Sequence, residues 1–112
     1  MSEHYYDESD LKHLDEMSSL APEEYKAWLN LDGITAREDG EIPRKYRELI
    51  AIAVAHATQC VYCIKVHTEN AKHVGATKRE VTEAILIAAA LRAGGAAAHG
   101  TQAMKFYDKS PN

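Results

Sequence analysis

The chain has 112 residues, 46% of them hydrophobic, and a formal net charge of −4. This length fits one domain spanning residues 1–112, and the acidic balance without a run of lysine and arginine argues against nucleic acid as a partner. The acidic N-terminus lacks the apolar core of a signal peptide and no apolar stretch approaches about 18 residues, so we expect a cytoplasmic protein without a membrane partner.

The first forty residues predict two short helices. Apolar residues recur every third position from Ser9 to Ser18, which is typical of a short amphipathic helix. Pro22 is placed to open the second helix, where two glutamates suit the positive end of the helix dipole. The side chains expected to face inward from this second helix are Tyr25, Trp28, Leu29 and Leu31.

Glycine and proline then mark a turn before the central part of the chain. Pro43 is expected to open a helix that ends near Ala57 and is apolar on every side after Leu49, as in a buried helix. Thr58 and Gln59 interrupt this pattern. A further helix follows and ends at Gly75, a natural C-terminal cap.

The C-terminal third of the chain predicts one or two more helices. Thr77 and Glu80 form the signature of a capping box, and an apolar run follows to Ala93. The glycines at 94 and 95 are expected to kink or stop this helix, or to let a neighbour pack closely, before helix resumes to near Tyr107. No alternating strand pattern occurs, so the predicted class is all-α with five to six helices.

The two cysteines of the chain are three residues apart, and a histidine follows four residues later. On a helix, Cys60, Cys63 and His67 would share one face. Because the pair follows the break at Thr58 and Gln59, it falls in a first turn, where free N–H groups stabilise a thiolate. His67 could exchange a proton with such a thiol near neutral pH.

Two other interpretations of these residues stay open. The cysteines and the histidine could be ordinary core residues, or they could bind zinc. A zinc site needs a fourth ligand, and the available histidines are scattered at His56, His73 and His99. The residues alone also leave Glu48 open, because it could be a surface acid paired with Arg44 or Lys45, or a partly desolvated group suited to proton transfer.

The run from Pro43 to Ala98 resembles the alkylhydroperoxidase D-like core of the carboxymuconolactone decarboxylase family, and the family core would cover about residues 25–108. The resemblance rests on a glutamate twelve residues before a C-x-x-C-x-x-x-H motif at residues 60–67, and on the sequence AAALRAGGAAAH. It implies a thiol-dependent peroxidase in which Cys63 attacks a hydroperoxide and Cys60 forms the disulfide, while Glu48 and His67 relay protons.

The resemblance also implies the partners. The disulfide would be reduced by a dithiol donor, either a lipoyl protein or a thioredoxin-like protein, and no cofactor or resident metal is expected. Family members can carry a histidine between the cysteines, where this chain has Tyr62, so one route for the proton is missing. The alternatives are a lactone decarboxylase or isomerase of the same family, and a non-catalytic helical module that uses the cysteines for zinc or for assembly.

The apolar faces of the predicted helices exceed what a chain of this length can cover by itself. We therefore expect a homo-oligomer. Rings formed by short members of the resembled family favour a hexamer over a trimer or dimer, with the alanine-rich C-terminal helices in contact and His99 at the interface.

Overall fold

The computed structural model describes residues 5–112, which form a short 3₁₀ helix and five α-helices. The 3₁₀ helix spans Glu8–Lys12, and the α-helices are α1 (His13–Leu20), α2 (Pro22–Ile34), α3 (Arg44–Thr58), α4 (Val61–His73) and α5 (Lys78–Lys109). No strand occurs among these described residues. The predicted all-α class is therefore confirmed.

Local signals set the limits of the central helices. Gln59 ends α3 in the left-handed conformation, with φ of 58°. Gly75 follows α4 with φ of 92°, a conformation that favours glycine. Thr77 Oγ1 accepts a hydrogen bond from the Glu80 amide at 3.0 Å, and Glu80 Oε1 accepts one from the Thr77 amide at 2.8 Å. The capping box predicted at the start of α5 is confirmed.

The N-terminal helix differs from its predicted bounds. In place of one helix from Ser9 to Ser18, the chain forms the 3₁₀ helix and then α1, which continues to Leu20. Asp7 caps the 3₁₀ helix by accepting a hydrogen bond from the Ser9 amide at 2.9 Å, and Asp10 accepts one from the Asp7 amide. This local capping favours a separate tight turn before the α-helix begins.

Helix α3 is the centre of the fold, because both α4 and α5 pack extensively against it. Glu48, Ile52 and Ala55 are its buried residues, and they lie along one face. Ala71 of α4 and Ala88 of α5 complete the small set of buried apolar residues. The core thus lies where α3 meets α4 and α5.

Arg47 holds the segment between α2 and α3 in place by hydrogen bonds. Arg47 donates from Nε to the carbonyl oxygen of Ile42 at 2.8 Å and from Nη1 to that of Ile34 at 3.0 Å. Gly40 lies against the same guanidinium, so a side chain there would collide with it. These contacts fix the end of α2 relative to the first turns of α3, where the site begins.

Two predictions of burial are wrong for the single chain. The sequence predicts that Trp28, Leu29 and Leu31 face inward, but they are 47%, 45% and 68% exposed. The reason is that α2 packs against α1 and makes no extensive contact with the α3–α5 core. The second half of α3 is likewise buried on one side only, since Ile50 and Val54 are about half exposed.

Helix α5 is continuous through Gly94 and Gly95, so the helix does not stop at these glycines. A Cβ atom at either glycine would meet no atom of another helix within 4 Å, so neither position serves a close approach of helices in the described part of the chain. Although polar residues interrupt it, α5 contains an 18-residue window with mean hydropathy 1.4, which is long and apolar enough to cross a membrane. One such helix is weak evidence for a membrane span, because core helices of soluble proteins pass the same test.

Candidate functional site

The two cysteines lie at the start of α4, as the sequence predicts. Cys60 is the N-cap residue, and its sulfur accepts a hydrogen bond from the Cys63 amide at 3.3 Å. The Cα atoms are 5.4 Å apart and a disulfide joins the two sulfurs. Both residues are partly exposed, so the disulfide is accessible at the end of the helix where the dipole is positive.

The carboxylate of Glu48 contacts the imidazole of His67 across the α3–α4 interface. Glu48 Oε1 lies 2.8 Å from His67 Nδ1, and the two side chains are 1% and 17% exposed. A carboxylate only accepts hydrogen bonds, so this geometry assigns a proton to Nδ1 of His67. His67 lies one turn beyond Cys63 on the same face of α4.

Arg44 is a second partner of the same carboxylate. Its Nη2 is 3.5 Å from Glu48 Oε2, on the side opposite the histidine contact, and its Nη1 is 2.9 Å from Glu38 Oε1. Glu48 is thus a buried acid with a partner at each oxygen, and the interpretation of Glu48 as a surface acid is wrong. The pairing with Arg44 that accompanied that interpretation does occur.

Sequence reasoning missed a contact at the residue between the cysteines. The Tyr62 hydroxyl donates to Asp10 Oδ2 at 2.7 Å, across 52 residues of sequence. The Tyr6 ring meets the Tyr62 ring edge-on with centroids 5.8 Å apart, and Lys65 pairs with Glu8 at 3.5 Å. The N-terminal segment is therefore attached to the first turns of α4, beside the disulfide.

This contact changes the acidity of both partners. The hydrogen bond to the Asp10 carboxylate, followed by loss of hydration, raises the pKa of Tyr62 to about 12. The same hydrogen bond lowers the pKa of Asp10 below its ordinary value. No signal in the local sequence pattern predicts this pair, because its members lie on elements far apart in the chain.

Two other histidines of the described chain contact backbone carbonyl oxygens and not the cysteines. His56 Nδ1 contacts the carbonyl oxygen of Ile52 at 2.8 Å, and His99 Nδ1 contacts that of Gly95 at 3.0 Å. Within residues 5–112, no group of three or more histidine, cysteine, aspartate or glutamate side chains is arranged to hold a metal ion. The described site therefore consists of a disulfide, an imidazole and a buried carboxylate paired with a guanidinium.

Comparison with known proteins relates this site to a family. The family model described as "Carboxymuconolactone decarboxylase family" matches residues 22–106. A crystal structure of a protein from Methanobacterium thermoautotrophicum superposes with a TM-score of 0.67 at 30% identity, and the match covers 80% of this chain and 94% of that chain.

Curated relatives match a shorter part of the chain. "Uncharacterized protein 4 in cox locus" of Paracoccus denitrificans is 45% identical over 71 residues, which are 63% of this chain and 64% of the relative. An uncharacterized protein of Cupriavidus necator is 32% identical over 73 residues, which are 65% of each protein. The chain thus spans just under two thirds of the length of these relatives, whose names state no activity.

Proposed function

This chain belongs to the carboxymuconolactone decarboxylase family, and on that premise we propose that it is a thiol-dependent peroxidase that reduces hydroperoxides with Cys60 and Cys63. The observation that carries the proposal is the disulfide at the start of α4, one turn from a histidine that is hydrogen-bonded to a buried glutamate. A thiol pair that closes to a disulfide, beside a group able to move protons, has the parts that peroxide reduction needs.

The first step is attack of the Cys63 thiolate on the hydroperoxide. The Cys63 thiol first gives its proton to His67 Nε2, and the resulting thiolate forms a sulfur–oxygen bond while the oxygen–oxygen bond breaks. The leaving alkoxide takes the proton back from His67 and departs as an alcohol. The sulfur of Cys63 loses two electrons to become a sulfenic acid, and the peroxide gains them.

The second step closes the disulfide. Cys60 attacks the sulfenic sulfur of Cys63, the sulfur–sulfur bond forms, and water leaves. A dithiol donor then returns two electrons and two protons by thiol–disulfide exchange. The proposed donor is a lipoyl protein or a thioredoxin-like protein, and the partial exposure of the cysteines supports access by such a donor. The proposed location is the cytoplasm, because its reducing conditions maintain dithiol donors.

Single cysteine variants test these roles. Cys60→Ser should react with one equivalent of peroxide and retain a sulfenic acid at Cys63, detectable with a sulfenic-acid trapping reagent and mass spectrometry. Cys63→Ser should consume no peroxide above the rate of the protein with both thiols alkylated. Trapping at Cys60 in Cys63→Ser, as fast as at Cys63 in Cys60→Ser, would reverse the assignment.

A steady-state assay separates peroxidase activity from the family alternative. The native protein is given peroxide with either a reduced lipoyl protein or a reduced thioredoxin, and with a monothiol as the control reductant. Sustained consumption with a dithiol donor supports the proposal. If the thiols are inert while the protein decarboxylates a carboxymuconolactone, lactone decarboxylation replaces peroxide reduction as the function.

We also propose that the protein works as a homo-oligomer, with a hexamer favoured over a trimer or dimer. The solvent-accessible surface is 9168 Å², whereas a compact monomer of this mass exposes about 6,100 Å². The radius of gyration is 18.7 Å, against about 13 Å for a compact domain of this length. The difference between the two surface areas exceeds the roughly 800 Å² that each partner buries in a standard interface.

An apolar groove between α3 and α5 supports the same proposal. Ile50 and Val54 line it from α3, and Ile87 and Leu91 line it from α5. All four side chains are at least 49% exposed. A second copy of the chain would remove this apolar surface from water.

Leu91→Glu tests the assembly. A charge in a covered groove costs several kcal/mol because the carboxylate loses its hydration, so light scattering should show the oligomer of the native protein replaced by monomer. Thr82→Glu is the matched control, because it adds the same charge at an exposed position of α5 that does not line the groove, and it should keep the native mass. A native protein that is active at monomer mass would contradict the proposal.

A further inference from the structure

Arg44 and His67 are the two side chains that form ion-pair contacts with Glu48 within the described part of the chain, and Arg44 is the one with a permanent charge. It is the first residue of α3 and its side chain is 21% exposed. Its guanidinium lies between two carboxylates with different surroundings, since Glu38 is 76% exposed and Glu48 is 1% exposed. The Nε atom is buried and has no hydrogen-bond partner among residues 5–112.

The other charged contacts of α3 in this region point elsewhere. Lys45 pairs with Glu80 of α5 at 2.9 Å, and both side chains are 31% exposed. Arg47 is bound to carbonyl oxygens that precede α3. Arg44 is therefore the guanidinium that can compensate the buried charge of Glu48.

This compensation decides where the proton of the Glu48–His67 pair resides. A carboxylate that is removed from water and has only an imidazole for a partner draws a proton from solvent onto that imidazole, because an isolated buried charge is costly. A guanidinium stays charged at all ordinary pH values. With Arg44 beside it, the Glu48 carboxylate has a permanently charged partner and does not need a charged His67 to balance it.

We propose that Arg44 is a positioning residue that balances the charge of Glu48 and so keeps His67 neutral, with its proton on Nδ1 and Nε2 free to accept a proton. The proposal deepens the peroxidase proposal, because the proton that Nε2 would accept is the one on the Cys63 thiol. After that transfer, the negative charges of Glu48 and Cys63 are matched by the positive charges of Arg44 and His67, while the third carboxylate, Glu38, is 76% exposed and is screened by water. Without Arg44, one positive group would face two negative ones, so formation of the thiolate would be disfavoured.

The charge state of His67 is measured directly by nitrogen NMR of its imidazole in the disulfide form near neutral pH. In the native protein the spectrum should show neutral His67 with the proton on Nδ1. In Arg44→Met both nitrogens should carry protons, while Arg44→Lys should return His67 toward the neutral form. Glu38→Gln is the matched control, because it removes the exposed partner of Arg44 and should leave His67 neutral.

The reduced protein gives a second readout. The single-turnover rate of Cys63 with peroxide should fall at least tenfold in Arg44→Met, be partly restored in Arg44→Lys, and stay within twofold of the native rate in Glu38→Gln. A doubly protonated His67 in the native protein, or the same His67 charge state in the native protein and Arg44→Met, overturns the proposal. The first of these results needs no variant, so a failure of Arg44→Met to fold leaves the test intact.

The two readouts separate this proposal from the one on which it rests. The NMR measurement uses the oxidised protein and no peroxide. If His67 changes charge as expected but neither cysteine reacts with peroxide, Arg44 keeps its positioning role and the peroxidase proposal fails. If peroxide is reduced but His67 is charged in the native protein, the peroxidase proposal stands and the role of Arg44 fails.

Discussion

The two sides of α3 differ in how much of each side chain is exposed to water. On one side the acid Glu48 is 1% exposed, with Ile52 and Ala55 buried after it. On the other side the apolar residues Ile50 and Val54 are 49% and 54% exposed. Glu48 can be buried because Arg44 and His67 contact its two oxygens. The apolar side has no partner of this kind in the described part of the chain.

A single chain supplies the partners of its buried carboxylate, but it leaves the apolar side of α3 exposed to water. Hydrogen bonds and charge within one chain account for the buried side, because every partner of Glu48 comes from α3 or α4. The apolar side is explained by the proposed contact with a second copy. Changes on each side should therefore have different consequences.

The largest expected effect is on catalysis from the buried side. Glu48→Gln keeps the shape of the side chain but removes the charge that orients His67, so peroxide turnover should fall roughly a hundredfold, the lower range of a general acid–base contribution. Steady-state rates and thermal melting should be measured together. Glu80→Gln replaces a partly exposed carboxylate and should keep the native turnover. Unchanged turnover in a folded Glu48→Gln variant would show that the reaction does not need the charge of Glu48.

The next largest expected effect is on the free energy of unfolding, and the same substitution is made on each side of α3. Ile52 is 0% exposed, so Ile52→Ala should lower the free energy of unfolding by about 2–5 kcal/mol through lost burial and a cavity. Within one chain, Ile50→Ala should cost less than about 1 kcal/mol because the side chain is already half exposed. Denaturant unfolding checks both values.

Protein concentration sharpens this comparison. If a second copy covers Ile50, the cost of Ile50→Ala should grow with protein concentration, since association stabilises the folded chain by mass action. The cost of Ile52→Ala should not depend on concentration in the same way. Equal costs for the two variants at every concentration would remove the distinction between the two sides.

How much the sequence predicts depends on how local the signal is. The ends of α3 and α5 follow from neighbouring residues such as Gln59, Thr77 and Glu80, and they are predicted well. Burial depends on partners elsewhere in the chain or outside it. The prediction that Trp28 faces inward is therefore wrong, because α2 packs extensively against α1 and not against the α3–α5 core in the described part of the chain.

The candidate site shows the same dependence. The spacing of Cys60, Cys63 and His67 places them on one helix, so their proximity is predictable. The burial of Glu48 is not, because it requires a histidine 19 residues later and an arginine one turn before. The residues alone left its role open, and the family resemblance favoured the buried interpretation.

The smallest expected effect concerns Tyr62 and its contact with Asp10. The pKa of Tyr62 is raised from 10.0 to about 12. The contact therefore stabilises the attached N-terminal segment fully at pH values below 10.0 and is lost as the pH rises through about 12. The lowered pKa of Asp10 means that the contact is also lost in acid, below the ordinary aspartate value of 3.8. The contact is thus complete between these two limits.

Tyrosinate absorbance checks the alkaline limit. The difference between native protein and Tyr62→Phe, recorded after a rapid pH jump, should titrate near 12, because Tyr62 is the only tyrosine removed. Tyr107→Phe is the matched control, since Tyr107 is 81% exposed. A midpoint near the ordinary value of 10.0 for Tyr62 would show that the hydrogen bond to Asp10 is absent in solution.

The most direct test of the account is mass spectrometry of the reduced protein after brief exposure to one equivalent of hydroperoxide. The account predicts the loss of two hydrogens, a disulfide between Cys60 and Cys63 within one chain, and consumption of one peroxide for each disulfide formed. Two thiols that remain reduced, or a protein that retains bound zinc at these thiols, would contradict a redox role for the pair.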